Sequence, residues 1–322
     1  MRWGLIGCGD VVRKRVAQAI IDHPGSQLIA ACRRDGKRLH QFCNDFRLPK
    51  AYSDALELFG DSEIDAVYIA TPVSEHLSQT VVAAQAGKHV LVEKPMAMSV
   101  AECNQMIVAC DRSGVKLGVA YYRRFYSMVD RIRDLLSKSA IGIPLAVSAI
   151  TATPMSMSSQ EDGYWRALPN ASGGGALMDV GSHRVDLFRY LFGEITSVKS
   201  VCRTVAADYP VEDTALLLLQ FRSGMTGTLQ CHFGCDDPDE FVITGTKGRL
   251  IARPLNGDTL IIESGSRQKL ETHPPPKNFC GPLVADFVDA IQTGRDPEVP
   301  GSDGLLTNRV MEWAYDDAMR KA

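Results

Sequence analysis

The stretch Gly173 to Gly193, GGGALMDVGSHRVDLFRYLFG, gathers glycines, carboxylates and an imidazole into one expected helix. Asp179, His183, Asp186 and Tyr190 follow at steps of four, three and four and share a face, while Leu177, Val180, Leu187 and Leu191 fall on another. An imidazole close to a carboxylate can take or give a proton near neutral pH. Gly181 interrupts the pattern at a cost of roughly 1 kcal/mol against alanine, which points to a ligand or another backbone passing close by. Gly173, Gly174 and Gly175 sit just before the helix, where unpaired N–H groups are available to oxygen atoms. Taken alone, the stripe reads more readily as a solvated helix face behind a flexible loop, so the functional reading depends on the rest of the chain.

A second constellation stands near the N-terminus. Gly7-Cys8-Gly9-Asp10-Val11-Val12 follows the apolar run Arg2 to Ile6 and opens a helix-like stretch. The two glycines permit a tight turn and let a pyrophosphate approach a helix N-terminus, which makes Gly7, Cys8, Gly9, Asp10 and Val11 candidate cofactor residues. Val12 stands where the dinucleotide fingerprint has its third glycine, the one that serves helix-on-strand packing. Arg33, Arg34 and Asp35 follow the second apolar run. An acid there would bond a ribose 2′-hydroxyl, whereas a guanidinium suits a 2′-phosphate. Arg33 and Arg34 therefore favour NADP(H), and Asp35 keeps NAD(H) possible. Thr71-Pro72 ends the third run and Glu93-Lys94-Pro95 the fourth. Ligands of open parallel sheets bind beyond the carboxyl ends of the strands, so both segments are expected to line the cofactor crevice. Pro95 holds Lys94 extended and is able to form a cis bond.

These groups need a frame. Strand-like runs at Arg2 to Ile6, Gln27 to Cys32, Asp65 to Ala70, His89 to Val92 and Lys116 to Val119 alternate with helix-like stretches. The helices are expected at Val11 to Asp22, Gly36 to Phe46, Ser53 to Phe59, Ser74 to Ala86 and Ser99 to Ser113, the last opened by a Ser99–Glu102 capping box. The alternation predicts an α/β domain over residues 1–120, a Rossmann doubly wound parallel sheet. Residues 121–322 read as an α+β domain with a large, mostly antiparallel open sheet and one helix inserted at Ala176 to Phe192. Its strands are expected at Leu145 to Thr153, Ile195 to Val205, Asp213 to Phe221, Met225 to Phe233, Glu240 to Thr244, Arg249 to Arg253, Thr259 to Glu263 and Gln268 to Thr272. The run Leu216 to Leu219 is apolar on both faces, so that strand is expected to be covered on both sides. Helices at Pro282 to Thr293 and Gly304 to Met319 close the chain.

Composition removes several function classes. Lys and Arg number 35 against 38 Asp and Glu, a net charge of −3 and too near balance for a broad nucleic-acid surface or a polybasic membrane anchor. The chain begins directly on a strand, without an apolar leader or a stretch of about 18 apolar residues, so a cytoplasmic protein is expected. Nine scattered cysteines read as reduced thiols. Cys231-His232-Phe233-Gly234-Cys235 lacks a second ligand pair and reads as strand, so no metal is expected.

Together the motifs resemble the glucose–fructose oxidoreductase, inositol dehydrogenase and MocA family. The likeness runs from GLIGCGDVV through ATPVSEHLSQTVVAAQAGKHVLVEKPMAMSVAE and YYRRF to GYWRALPNASGGGALMDVGSHRVDLFRYLFG and the closing ADFVDAIQTGRDPEVPGSDGL. Within the family the chain looks closest to sugar reductases such as those for 1,5-anhydrofructose. The resemblance implies that Lys94 of E-K-P and Asp179 and His183 of D-x-G-x-H form the catalytic group. It implies cofactor contacts at Gly7, Gly9, Thr71, Pro72, His76, Glu93, Trp165 and Arg166 and a homo-oligomer, dimer or tetramer, formed through one face of the second sheet. Tyr122 departs from the family's Y-N-R-R-F, where an asparagine stands beside the nicotinamide, and is expected to shape the substrate site.

Oxidising a secondary alcohol needs a hydride acceptor, a group for the hydroxyl proton and positive charge near the developing alkoxide. The expected division gives the hydride to NADP, the proton to His183, the polarising charge to Lys94 and the orienting of substrate to Asp179, with Lys94 as the alternative proton donor. The substrate class is a sugar, an anhydrosugar or a cyclic polyol. Two other readings stay open, a nicotinamide-binding sensor without turnover and a glycosidase that oxidises its sugar transiently.

Overall fold

The first five apolar runs become strands of one parallel sheet, joined by a short strand that lacks an apolar run. In a computed structural model of the chain, which describes residues 1–154, 161–236 and 239–320, the strands are β1 (Arg2–Ile6), β2 (Gln27–Cys32), β3 (Lys50–Tyr52), β4 (Ala66–Ile69), β5 (His89–Val92) and β6 (Leu117–Val119). Their order is β3-β2-β1-β4-β5-β6, every neighbouring pair parallel. Because both faces are covered, β4 reads Ala-Val-Tyr-Ile with every residue buried. The edge strand β3 is only three residues long and half exposed, so periodicity does not reveal it.

The helices between the strands are α1 (Ala17–Asp22), α2 (Gly36–Phe46), α3 (Ala55–Gly60), α4 (His76–Gln85) and α5 (Val100–Ser113). A π-helical turn, Val12–Val16, leads into α1. Ser99 caps α5 by accepting from the Glu102 N–H at 3.2 Å, but the Glu102 carboxylate reaches back to the N–H of Met98, one residue short of the expected reciprocal bond.

The second half of the chain forms α6 (Ser127–Ser137), the short α7 (Pro169–Ser172), α8 (Ser182–Phe192) and an eight-stranded sheet. The strands are β7 (Pro144–Thr153), β8 (Ile195–Arg203), β9 (Thr214–Phe221), β10 (Thr226–Phe233), β11 (Glu240–Gly245), β12 (Gly248–Ala252), β13 (Thr259–Ser264) and β14 (Arg267–Thr272). They lie in the order β14-β13-β12-β11-β7-β10-β9-β8, antiparallel except for β7 beside β10. β9 alternates strictly, with Ala215, Leu217, Leu219 and Phe221 buried and Leu216 and Leu218 exposed by 45% and 53%. Among the described residues the expected cover on its second side is not found, since Leu216 and Leu218 stay about half exposed. The run Cys231-His232-Phe233 is strand as expected, and Gly234 and Cys235 lie beyond its end.

The last helices are α9 (Gly281–Thr293) and α10 (Gly301–Met319), the latter three residues longer at its start than its apolar period suggests. The chain divides into two units, Met1–Tyr122 with Lys277–Asn308 and Arg123–Pro276 with Arg309–Ala322. The segment that returns to the first unit does so on α9, whose Phe287 ring sits 5.7 Å from that of Trp3. Nothing in the pattern of the last helices marks this return. No helix among the described residues is long and apolar enough to cross a membrane.

Candidate active site

In the first unit the site residues cluster at the carboxyl ends of the parallel strands. β1 stops at Ile6 because Gly7 turns at φ +84°, and a side chain there would strike the Ala70 carbonyl, 2.6 Å from an added Cβ. Gly9 differs, since nothing lies within 4 Å of where its Cβ would be. That open space is what the close approach of a pyrophosphate requires, so the loop fits a dinucleotide. Cys8 and Val12 turn inward and are buried, and Asp10 is exposed and paired to Lys14 at 2.6 Å. Burial pushes the Cys8 thiol up to about 12. A fully buried Val12 in the place of the third glycine coincides with the wider π turn at the helix start. Val11 is half-buried beside it.

The residues after β2 take separate tasks. Arg33 donates to the Cys8 carbonyl at 2.6 Å and so crosses the glycine loop, while Arg34 is exposed. Asp35 accepts from the Arg38 N–H at 3.0 Å as the N-cap of α2, with its carboxylate about half exposed.

The His76 ring lies between the turn that ends β4 and the backbone just after Lys94. Its ring Nε2 lies 3.1 Å from the Thr71 carbonyl and Nδ1 lies 3.2 Å from those of Pro95 and Met96. His76 is fully buried, so the surface expected of a cofactor contact is not offered by its side chain. Burial outweighs the three carbonyls and lowers its pKa to about 4, keeping the ring neutral. Glu93 accepts from the buried Tyr68 hydroxyl at 2.6 Å, and its other oxygen accepts from the Lys94 N–H at 3.2 Å. The Lys94–Pro95 peptide is cis, and Lys94 and Pro72 are half-buried. Tyr122 is buried, stacks on Phe279 at 6.1 Å and 7°, and accepts from Arg15 at 3.3 Å.

In the second unit the expected helix is there, but it opens with a π turn, Leu177–Gly181, before α8. Every residue from Gly181 to Phe188 is buried, which rules out the solvated face. Asp179 is half-buried within the wide turn, and His183 follows with 5% exposure. Asp186 is not available for chemistry, since the Arg124 guanidinium grips it with two nitrogens, at 3.0 and 2.6 Å, and both side chains are buried. Tyr190 lies between Arg124 and Arg133, each guanidinium within 5 Å of the ring. The four residues of the stripe therefore separate into Asp179 and His183 on the opening turns and a pair, Asp186 and Tyr190, engaged by arginines. What crowds Gly181 most is a side chain: its added Cβ would lie 2.6 Å from the Cys231 thiol, with the Ala176 carbonyl at 3.6 Å.

Trp165 and Arg166 lie on a 3₁₀ segment, Asp162–Ala167. The Arg166 guanidinium stacks over Trp165 at 4.7 Å and pairs with Asp179 at 3.7 Å, so it links the Trp165 ring to the Asp179 carboxylate. The amides after Gly173 are occupied. Gly175 and Leu177 donate to the carboxylate of buried Glu212 at 2.8 and 3.0 Å, a residue that periodicity and motif spacing both pass over. Burial pushes the Glu212 carboxyl up against the pull of these bonds. Among the described residues no group of three or more His, Cys, Asp or Glu side chains is placed to hold a metal.

Comparison with known proteins places this geometry. Residues 1–121 match the model of an oxidoreductase family with an NAD-binding Rossmann fold, and residues 129–251 match a GFO/IDH/MocA C-terminal domain. The chain is 32% identical to oxidoreductase P35 of Formosa agariphila over 97% of each chain, and 30% identical to 1,5-anhydro-D-fructose reductase of Ensifer adhaerens over 94% of this chain and 92% of the other. Among solved structures, aldose-aldose oxidoreductase from Caulobacter crescentus, complexed with glycerol, superposes with a TM-score of 0.92 at 29% identity, covering 100% of this chain and 98% of that one.

Proposed function

The chain belongs to the glucose–fructose oxidoreductase, inositol dehydrogenase and MocA family of oxidoreductases, and from that membership we propose that it moves a hydride between NADPH and a sugar, anhydrosugar or cyclic polyol. The reacting carbon is a secondary alcohol in one direction and a ketone in the other. What carries the reading is the set of groups: a half-buried ammonium just past the end of β5, and a carboxylate and an imidazole on the opening turns of a buried helix. The first unit binds nucleotide at Gly7, Gly9 and the Thr71 and Glu93 turns, and the second holds the sugar.

When bound, the nicotinamide supplies the hydride donor or acceptor. Lys94 donates a hydrogen bond from Nζ to the reacting oxygen and offsets its developing negative charge. His183 takes the hydroxyl proton on a ring nitrogen in oxidation and returns it in reduction. Asp179, held by Arg166, orients the neighbouring hydroxyl groups. Tyr122 and Phe279 together form an aromatic surface that limits the shape of the sugar. The open apolar face of β9 supports a second copy of the chain as partner.

NADPH is favoured because an exposed Arg34 follows β2 while Asp35 is engaged as a helix cap. Fluorescence titration with NADPH and NADH checks this. NADPH is expected to bind at least tenfold tighter, about 1.4 kcal/mol, and equal or tighter binding of NADH would remove the arginines from cofactor choice. Absorbance of the reduced nicotinamide, followed with sugar ketones and polyols, then identifies the substrate; no turnover with any of them would overturn the oxidoreductase reading.

A further inference from the structure

The helix that carries Asp179 and His183 begins with a turn of the wrong width. The Ser182 N–H bonds to the Leu177 carbonyl five residues back, so Leu177–Gly181 is a π turn with one residue more than an α turn holds. A π turn is less stable than the α turn it replaces, and relaxing it would rotate Asp179 relative to His183 by about 100° around the axis. Something must hold its register.

Glu212 is placed to do so. It is 8% exposed and stands two residues before the start of β9. Oε2 accepts from the Gly175 N–H at 2.8 Å, Oε1 from the Leu177 N–H at 3.0 Å, and its backbone carbonyl from the Ala176 N–H at 3.0 Å. Three consecutive amides at the helix entrance thus end on one residue, and these are the donors a helix start leaves unmet. The Tyr315 hydroxyl donates to Oε1 at 2.8 Å and fixes the carboxylate from behind. Gly174 and Gly175 complete the fit, because an added Cβ would lie 2.0 Å from the Tyr315 hydroxyl oxygen at one and 2.0 Å from the Glu212 carbonyl oxygen at the other. The Asp179 N–H then bonds to the Gly175 carbonyl at 3.0 Å, which carries the constraint to the catalytic carboxylate.

We propose that Glu212 is a positioning residue of the reaction, its buried carboxylate holding the register of the π turn that sets Asp179 against His183. This rests on the reading that Asp179 and His183 act on a sugar hydroxyl. A carboxylate is required, since a carboxamide would turn an N–H toward one of the backbone N–H groups.

Glu212→Gln tests it. The turnover number with sugar is expected to fall about tenfold to a hundredfold, while KM and NADPH affinity stay near wild type. Amide exchange over residues 175–183, read by mass spectrometry, is expected to accelerate. A folded variant with lower Tm but wild-type turnover and wild-type exchange in that segment would show a purely structural glutamate and overturn the proposal. If Glu212→Gln does not fold, Tyr315→Phe decides: reduced turnover with unchanged KM supports the proposal, and wild-type turnover overturns it. If the wild-type enzyme turns over no sugar or polyol, the functional reading fails separately. Exchange over 175–183 in the Glu212→Gln or Tyr315→Phe variant then still decides the register, acceleration supporting it and no change overturning it.

Discussion

At the scale of single residues, the proposed reaction assigns chemistry to the two members of D-x-G-x-H that flank the glycine, and the glycine makes room. His183 is buried on a rigid helix, so its imidazole has little freedom to be replaced by water when removed. His183→Asn is expected to lower turnover by about two to four orders of magnitude with NADPH still bound, checked by steady-state rates and cofactor fluorescence. Turnover at wild-type level would hand the proton to Lys94. Gly181 yields a prediction of unusual sign. Alanine for glycine inside a helix ordinarily stabilises by about 1 kcal/mol, yet here the added methyl meets the Cys231 thiol at 2.6 Å and Leu177 at 3.0 Å. Gly181→Ala is expected to cost about 1–3 kcal/mol, measured by urea unfolding, and adding Cys231→Ala should recover most of it. Additive losses in the double variant would place the strain elsewhere. The sequence shows Asp179 and His183 on one helix face, while their proposed catalytic role rests on the family resemblance and not on spacing alone. It did not reveal the reason for Gly181, since the contact lies across to a strand some fifty positions away, nor the role of Asp186, whose partner Arg124 comes from a distant motif.

At the scale of elements, strand ends and helix starts do the positioning, and buried polar groups fasten them. Periodicity exposed the strands with apolar runs, and missed β3 because three half-exposed residues carry no period. Motif spacing likewise located the E-K-P turn while leaving open how it is held. His76 holds it, spanning from the Thr71 carbonyl to those of Pro95 and Met96. That clamp depends on pH. The folded-state pKa is near 4 against 6.5 for the ordinary group, with burial the main cause. In between, the unfolded chain binds the proton and the folded one does not, so stability is complete above the ordinary value and is lost as pH falls toward 4. The loss from pH 7 to pH 5 is on the order of 2 kcal/mol from this group. Urea unfolding at the two pH values should show that slope in wild type and a shallower one in His76→Gln. Equal slopes would mean that His76 titrates alike in both states.

At the scale of the whole molecule, the second sheet leaves large apolar side chains exposed on one face. Cross-strand register lines up Leu270, Ile261, Ile251 and Val242 on one row of the outer face, and continues through Ser148 and Thr228 to Leu218. Leu216 and Val201 stand on the next row, opposite one another across β8 and β9. Along β9 a period of two should leave polar residues outside, and it leaves Leu216 and Leu218 about half exposed instead. Leu216, Leu218 and Val201 form an exposed apolar patch on this face, and a second copy meeting it across a two-fold axis would bury the same patch on both sides. Light scattering on the purified protein is expected to give at least twice the mass of the chain at micromolar concentration. Leu216→Glu with Leu218→Glu places four carboxylates in such an interface and should yield a monomer with unchanged secondary structure. A wild-type monomer would leave the face without a second copy. A double variant that stays dimeric would move the contact to some other surface.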